Sequence, residues 1–202
     1  SLSSSKDYAG CLEKGFVILD PEQRKSIIKA RGDELAQEVN GRVLWTEDLL
    51  TEVAFLVEYP TPLRGSFAQE YLDLPADIVI TPMRDHQRYF PVLTHDGDLL
   101  PYFIAVRNGT ADQLDLVQTG NERVLQARLA DARFFFQEDQ KTSLNQRVES
   151  LKQIVFQEDL GTLYDKSQRL VSLVGFLARQ VKLDETASSL LKRAAFLAKA
   201  DL

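Results

Sequence analysis

The stretch Arg84-Asp85-His86-Gln87-Arg88-Tyr89-Phe90 interleaves basic and amide groups with two aromatic rings, a combination that can contact phosphates and stack on unpaired bases. The same residues also fit an ordinary strand start, with Tyr89 or Phe90 packed inward and the arginines in solvent. Both readings stay open in the sequence. A second candidate is Arg128, inside Gly120–Asp139 (GNERVLQARLADARFFFQED). At about 100° per residue, Val124, Leu125, Leu129, Ala132, Phe135 and Phe136 share one apolar arc, with Ala127, Ala130 and Phe134 opposite. That pattern predicts a helix packed on two sides, running through the middle of the molecule. Arg128 projects into the arc, where a guanidinium needs a carboxylate or a phosphate to meet it. It is therefore a buried ion-pair member or a site residue, and Glu122 and Asp131 lie too close along the helix to be ideal partners. Arg84, Arg88, Arg107, Arg123, Arg128 and Arg133 all fall in the middle of the chain.

Catalytic chemistry lacks its parts. There are two histidines, His86 and His95, without cysteines or carboxylates at ligand spacing, and one cysteine, Cys11, so no multi-cysteine zinc site and no internal disulfide is expected. Neither GxSxG nor GxxxxGK[ST] occurs, and the ten glycines are scattered singly. Gly120-Asn121-Glu122-Arg123 has the outline of a nucleotide-facing class II synthetase motif, but one glycine cannot provide its backbone approach. Glu138-Asp139 and Glu158-Asp159 fit solvated polar clusters.

A net charge of -6 argues against holding nucleic acid by bulk electrostatics and requires any RNA contact to be a local basic face. With 44% hydrophobic residues in 202, the chain can build a proper core. No apolar run approaches the roughly 20 residues that span a bilayer, and the start lacks a signal-peptide core. A cytoplasmic location is expected, with neither membrane nor DNA as partner. Residues 1–15 are set aside as a linker or expression remnant.

The elements that must position these residues follow in order. Phe16–Leu19 is β-rich. A helix then starts at Asp20 as N-cap, with Pro21 first and Gln23 completing a capping box, buries Ile27, Ile28, Leu35 and Val39, and ends at Asn40-Gly41. Thr46 caps a helix over 47–57 that buries Leu49, Leu50, Val53, Leu56 and Val57, and Tyr59-Pro60-Thr61-Pro62 stops it. Ser66 is expected to cap a short helix through Leu72, and Pro75 to start another that Pro82 bends. Gln87–Thr94 and Leu99–Arg107 flank Asp96-Gly97 as a hairpin, with Pro91 and Pro101 requiring an edge or a bulge. Beyond residue 120 the pattern reads wholly helical: Leu144, Val148, Leu151 and Val155 share a stripe, Leu163 through Val181 make another, and a last helix from Asp184 is expected to run past the end of the chain. The fold class is α+β. A mixed α/β domain over 16–119, with the hairpin, leads into a central helix and an all-helical region over 120–202.

HQRYFPV, LLPYFIAVRNG, GNERVLQARLADARFFFQED and VFQEDLGTLYDKSQRL, in this order, resemble the beta subunit of the bacterial heterotetrameric glycyl-tRNA synthetase; LVEYPTPLRGSF matches the family's LVEWP segment with Tyr59 in place of tryptophan. The resemblance covers nearly everything from Phe16 onward. It implies an internal piece of a longer beta chain: a domain similar to the B3/B4 region of phenylalanyl-tRNA synthetase, then the entry into an HD-like helical domain. It implies as partners tRNA(Gly) and the alpha subunit, in an assembly of two alpha and two beta subunits, with ATP and Mg²⁺ used at the alpha subunit and no cofactor in this piece. HD-type hydrolases carry His-Asp where Ala194–Lys199 reads AAFLAK, which sets Ala198 and Lys199 at the metal-ligand positions; an ammonium cannot replace a carboxylate on a divalent cation. No catalytic residue and no metal ligand is expected. Arg84, Arg88, Arg107 and Lys199 are the candidate RNA contacts. The alternatives are an assembly scaffold within the synthetase and an editing-type or HD-type hydrolase.

Overall fold

Along Leu99–Asn108 (β4), alternate side chains enter two different apolar layers, and the first half of the fold is built on that alternation. The computed structural model describes residues 8–202 and divides the chain into two units, Ser1–Phe135 and Phe136–Leu202. Of residues 1–15, set aside as a linker or expression remnant, 1–7 lie outside the described residues, whereas Tyr8–Lys14 is helical. In the first unit come helices Tyr8–Lys14 (α1), Pro21–Gln37 (α2), Glu47–Leu56 (α3) and Ala76–Thr81 (α4), then Leu114–Gln140 (α5), within which the division falls. Arg42–Val43 (β1), Pro60–Ser66 (β2), Phe90–Leu93 (β3) and β4 form a four-stranded antiparallel sheet in the order β1-β3-β4-β2.

Leu100, Tyr102, Ile104 and Val106 pack with Ile28, Leu35, Leu50 and Val53 of α2 and α3. On the other face Leu99, Phe103 and Ala105 pack with Val79 of α4, Met83 of the π-helical turn Pro82–His86, and Leu125 and Leu129 of α5. Helices thus cover both faces, and β3 is buried at all four positions. The fold is mixed α+β with an antiparallel sheet.

Local chemistry explains the elements and several departures from expectation. Asp20 accepts from the Glu22 N–H at 2.9 Å and Pro21 opens α2, but no Gln23 bond back to the cap is formed. The α2 ladder ends at Gln37; Asn40, at φ 53°, then lets the Gly41 N–H reach the Ala36 carbonyl at 2.9 Å. Phe16–Leu19 is not a strand: it joins no ladder, the Ile18 N–H donating to the Glu58 carbonyl at 2.8 Å while the Phe16 and Val17 N–H groups turn back to Glu13 and Leu12. Leu56 is 63% exposed rather than buried, because the chain turns extended at Val57 and that side chain takes the inward place.

The largest departure is β2. Its prolines read as a stop, yet Pro60–Ser66 pairs with β4 from Pro60 opposite Asn108 to Ser66 opposite Tyr102. At a sheet edge a missing N–H on one side is harmless. Ser66 ends this strand instead of capping a helix; its N–H and Oγ both bond Glu122, at 2.8 and 3.0 Å, and a 3-10 helix over Gln69–Asp73 follows. The hairpin forms as expected, with Gly97 at φ 105°. Its strands are interior, so the prolines are met by a bulge, where Leu100, Pro101 and Tyr102 oppose Val92 between the Pro91–Phe103 and Leu93–Leu99 pairs.

Helix α5 starts at Leu114, not at Gly120, and is packed along one narrow stripe. Leu125 and Leu129 are its buried residues, while Val124, Phe134 and Phe135 are exposed, so it does not run through the middle of a core.

The second unit is not wholly helical. After Leu144–Ser150 (α6), Val155–Gln157 (β5) pairs with Gly161–Thr162 (β6), followed by Leu163–Gln180 (α7) and Glu185–Leu197 (α8). Val155 therefore leaves the expected helical stripe and is exposed. Ser143 with Gln146, and Thr162 with Asp165, form reciprocal capping boxes, and Asp184 accepts from the Ala187 N–H at 2.8 Å. The core here is Val148, Leu151, Leu163 and Ala200. Helix α8 does not run to the end: it closes at Leu197, with Ala198 as C-cap.

Candidate nucleic-acid interface

The first turns of α3 and the turn after α4 enclose a cleft of about 450 Å³ lined by Thr46, Asp48, Leu49 and Glu52 from one side and Arg84, Asp85 and Arg88 from the other. Arg84 and Arg88 are thus brought together, as their spacing in the sequence suggested. Each meets a carboxylate. Arg84 Nε donates to Asp85 Oδ1 at 2.7 Å and Nη2 to Oδ2 at 3.3 Å. The hydrogen bonds and charge of Asp85 raise the Arg84 pKa above its ordinary value, and Arg84 lowers that of Asp85. Arg88 Nε donates to Glu52 at 2.7 Å, and Nη1 to the Asp85 carbonyl. Arg88 itself stands at φ 57°, a left-handed conformation uncommon for a non-glycine residue.

Tyr89 and Phe90 are buried, and Tyr89 stacks on Phe103 at 4.7 Å between centroids. Burial pushes the Tyr89 phenol above its ordinary pKa. Of the two readings of this stretch, the inward-packed strand start is the one that describes its rings, and what faces solvent is a mixed-charge cleft.

The other candidates are not among its lining residues. Arg107, on β4 opposite Thr61, is half-buried and donates to the Asp112 carbonyl. Lys199 belongs to the second unit, half-buried in the turn after α8. Arg128 is exposed and forms no ion pair among the described residues, so the expected burial is corrected: the inward stripe of α5 is Leu125 and Leu129, and Arg128 lies off it. Arg133 instead serves as a pin, bonded to Glu70 at 2.8 Å and lying over the Tyr71 ring at 5.0 Å.

Two features escaped the sequence reading. Arg24 is buried, donating to the Ile18 carbonyl at 2.8 Å, and its position four residues before Ile28 was a legible sign of that. A second cleft, of about 410 Å³, lies between α7 and α8 and is lined by Ser172, Gly175, Arg179, Ser188 and Lys192 with Val171. Ser172, Gly175 and Arg179, spaced i, i+3 and i+7 along one helix, were its sign. Among the described residues no group of three His, Cys, Asp or Glu side chains converges as a metal would require. No described helix is long and apolar enough to cross a membrane.

The sequence profile described as "Glycyl-tRNA synthetase beta subunit" matches residues 1–202. The chain is 50% identical over 195 residues to the glycine--tRNA ligase beta subunit of Halothermothrix orenii, covering 96% of this chain and 28% of that protein. To the beta subunit of Clostridioides difficile it is 50% identical over 202 residues, 100% of this chain and 29% of that protein. For Bacillus subtilis the identity is 46%, again over 100% of this chain and 30% of the relative. The chain therefore spans under a third of these relatives' length. A profile that fits from the first residue to the last, together with half-identical relatives aligned across nearly the whole length, places this chain in the glycyl-tRNA synthetase beta subunit family.

Proposed function

We propose that this chain is the part of a glycine-tRNA ligase beta subunit that binds tRNA(Gly) and positions it, while the alpha subunit attaches glycine using ATP and Mg²⁺. The observation that carries this reading is the family match over residues 1–202. Residues 16–119 make up the B3/B4-like domain and 120–202 the entry of the HD-like domain, in a cytoplasmic assembly of two alpha and two beta subunits. Arg84, Arg88, Arg107 and Lys199 are the cations offered to the tRNA backbone; phosphate contacts of this kind fix register and carry no sequence information. Arg84 and Arg88 share one cleft, where a phosphate would replace Asp85 and Glu52 as the partner of each guanidinium.

The test is tRNA binding by the chain as a function of salt. Arg84→Glu with Arg88→Glu should weaken binding and lower the log–log salt slope by roughly 0.7–0.9 per lost contact, with the melting temperature recorded to confirm folding. Unchanged affinity and slope in a folded variant would remove both arginines.

A second reading, an assembly scaffold, is favoured by the exposed apolar residues Phe16, Leu19, Phe55 and Leu56, each more than half exposed. It predicts that alpha-subunit binding, and not tRNA binding, is lost when Phe55 and Leu56 become serine. A hydrolase of editing or HD type is the third reading, opposed by Ala198 and Lys199 at the positions where the resemblance sets metal ligands.

A further inference from the structure

The cleft between α7 and α8 has a different chemistry from the one around Arg84. Ser172, Gly175 and Arg179 stand at i, i+3 and i+7 along α7, and Ser188 and Lys192 at i and i+4 along α8, so each set forms one stripe facing the other. Gly175 has a physical reason to be there, although glycine inside a helix is unfavourable. A Cβ at this position would stand 3.0 Å from Lys192 Cε, and its absence lets the lysine stem lie across α7 and deliver its ammonium into the cleft.

The lining carries two cations and two hydroxyls and no carboxylate. Among the described residues neither Arg179 nor Lys192 makes an ion pair, whereas Arg84 and Arg88 both do. The carboxylates nearest in sequence, Asp184 and Glu185, are outside the lining, and Asp184 is occupied by the Ala187 N–H. Ser172 donates to the Gln168 carbonyl at 3.1 Å, which leaves the guanidinium, the ammonium and the Ser188 hydroxyl as the donors facing the cleft.

We propose that this cleft is a phosphate site that takes one phosphodiester of the tRNA backbone. A guanidinium fork matches two phosphate oxygens, a lysine adds a point charge, and a hydroxyl takes a third oxygen. With no aromatic in the lining, the site has nothing to stack a base on, so it holds RNA without reading its sequence. The proposal rests on the preceding reading for the source of the phosphate, and its test separates the two.

The experiment compares the chain with Arg179→Gln/Lys192→Gln in tRNA binding across a salt series, with melting temperature as the folding control. The double variant should lose about ten-fold in affinity at moderate salt and lower the log–log slope by about 0.7–0.9, the loss of one neutralised phosphate. Arg179→Lys should keep the slope and lose part of the affinity, because charge is retained and the fork is not. Binding by the parent with an unchanged slope in the double variant overturns this site and leaves the tRNA reading standing. If the parent binds no tRNA, that reading falls and the assignment to RNA falls with it. In that event, saturable shifts of the Arg179 and Lys192 side-chain NMR signals with inorganic phosphate would make the cleft a site for a free anion instead.

Discussion

Arg84 and Asp85 are neighbours in the chain that grip each other at 2.7 Å, and this adjacency gives the cleft a switchable partner. Because Arg84 lowers the Asp85 pKa, the carboxylate contributes stability that is present above its unfolded value, near 3.8, and is lost as pH falls through the folded value. The pair is nearly half exposed, so the effect is small. Asp85→Asn should therefore melt below the parent at neutral pH, with the gap closing as the pH falls below about 4. Melting curves across that range decide it, since a gap independent of pH would mean that Asp85 acts through shape. The arginines were legible as a cluster in the sequence. Their pairing was not, because the Glu52 that holds Arg88 is 36 positions away in the chain.

Between elements, the β2–β4 contact turns on a glycine. Gly65 lies opposite Phe103, and a Cβ there would meet the ring at 2.2 Å, so the ring occupies the space the glycine leaves and stays stacked on Tyr89. Gly65→Ala should force the ring off that stack and cost about 1–3 kcal/mol, read as a lower denaturation midpoint at constant m. Adding Phe103→Leu should recover part of it; no recovery would place the cost in the backbone. This strand was hidden by its prolines, since Pro60 and Pro62 end a helix as readily as they sit on a sheet edge. The hairpin was visible because Asp96-Gly97 fixes its turn locally.

Over the whole molecule, buried apolar matter is unevenly shared. The first unit has an apolar layer on each face of its sheet, while the second relies on Val148, Leu151, Leu163 and Ala200, and leaves Leu173, Phe176, Leu177 and Leu190 about half exposed or more. Leu151→Ala should thus be severe, about 2–5 kcal/mol. Amide hydrogen exchange should then quicken through α6, α7 and α8, and unchanged protection there would show that this small core is not what holds the three helices.

Sequence by itself determined the α+β class, the family, the hairpin and most helix starts, because caps, turn residues and ordered family segments are written in contiguous residues. Tertiary structure alone decided which apolar faces are covered. α5 carries enough apolar residues for two buried sides, yet only Leu125 and Leu129 are fully covered, with Leu114 and Val117 packed partly against the same layer, because burial depends on what the rest of the chain brings opposite. The same physics moved Arg128 to the surface, buried Arg24, and set Arg179 beside Lys192 without a carboxylate between them. Charge and periodicity are properties of one segment, whereas pairing is a property of two.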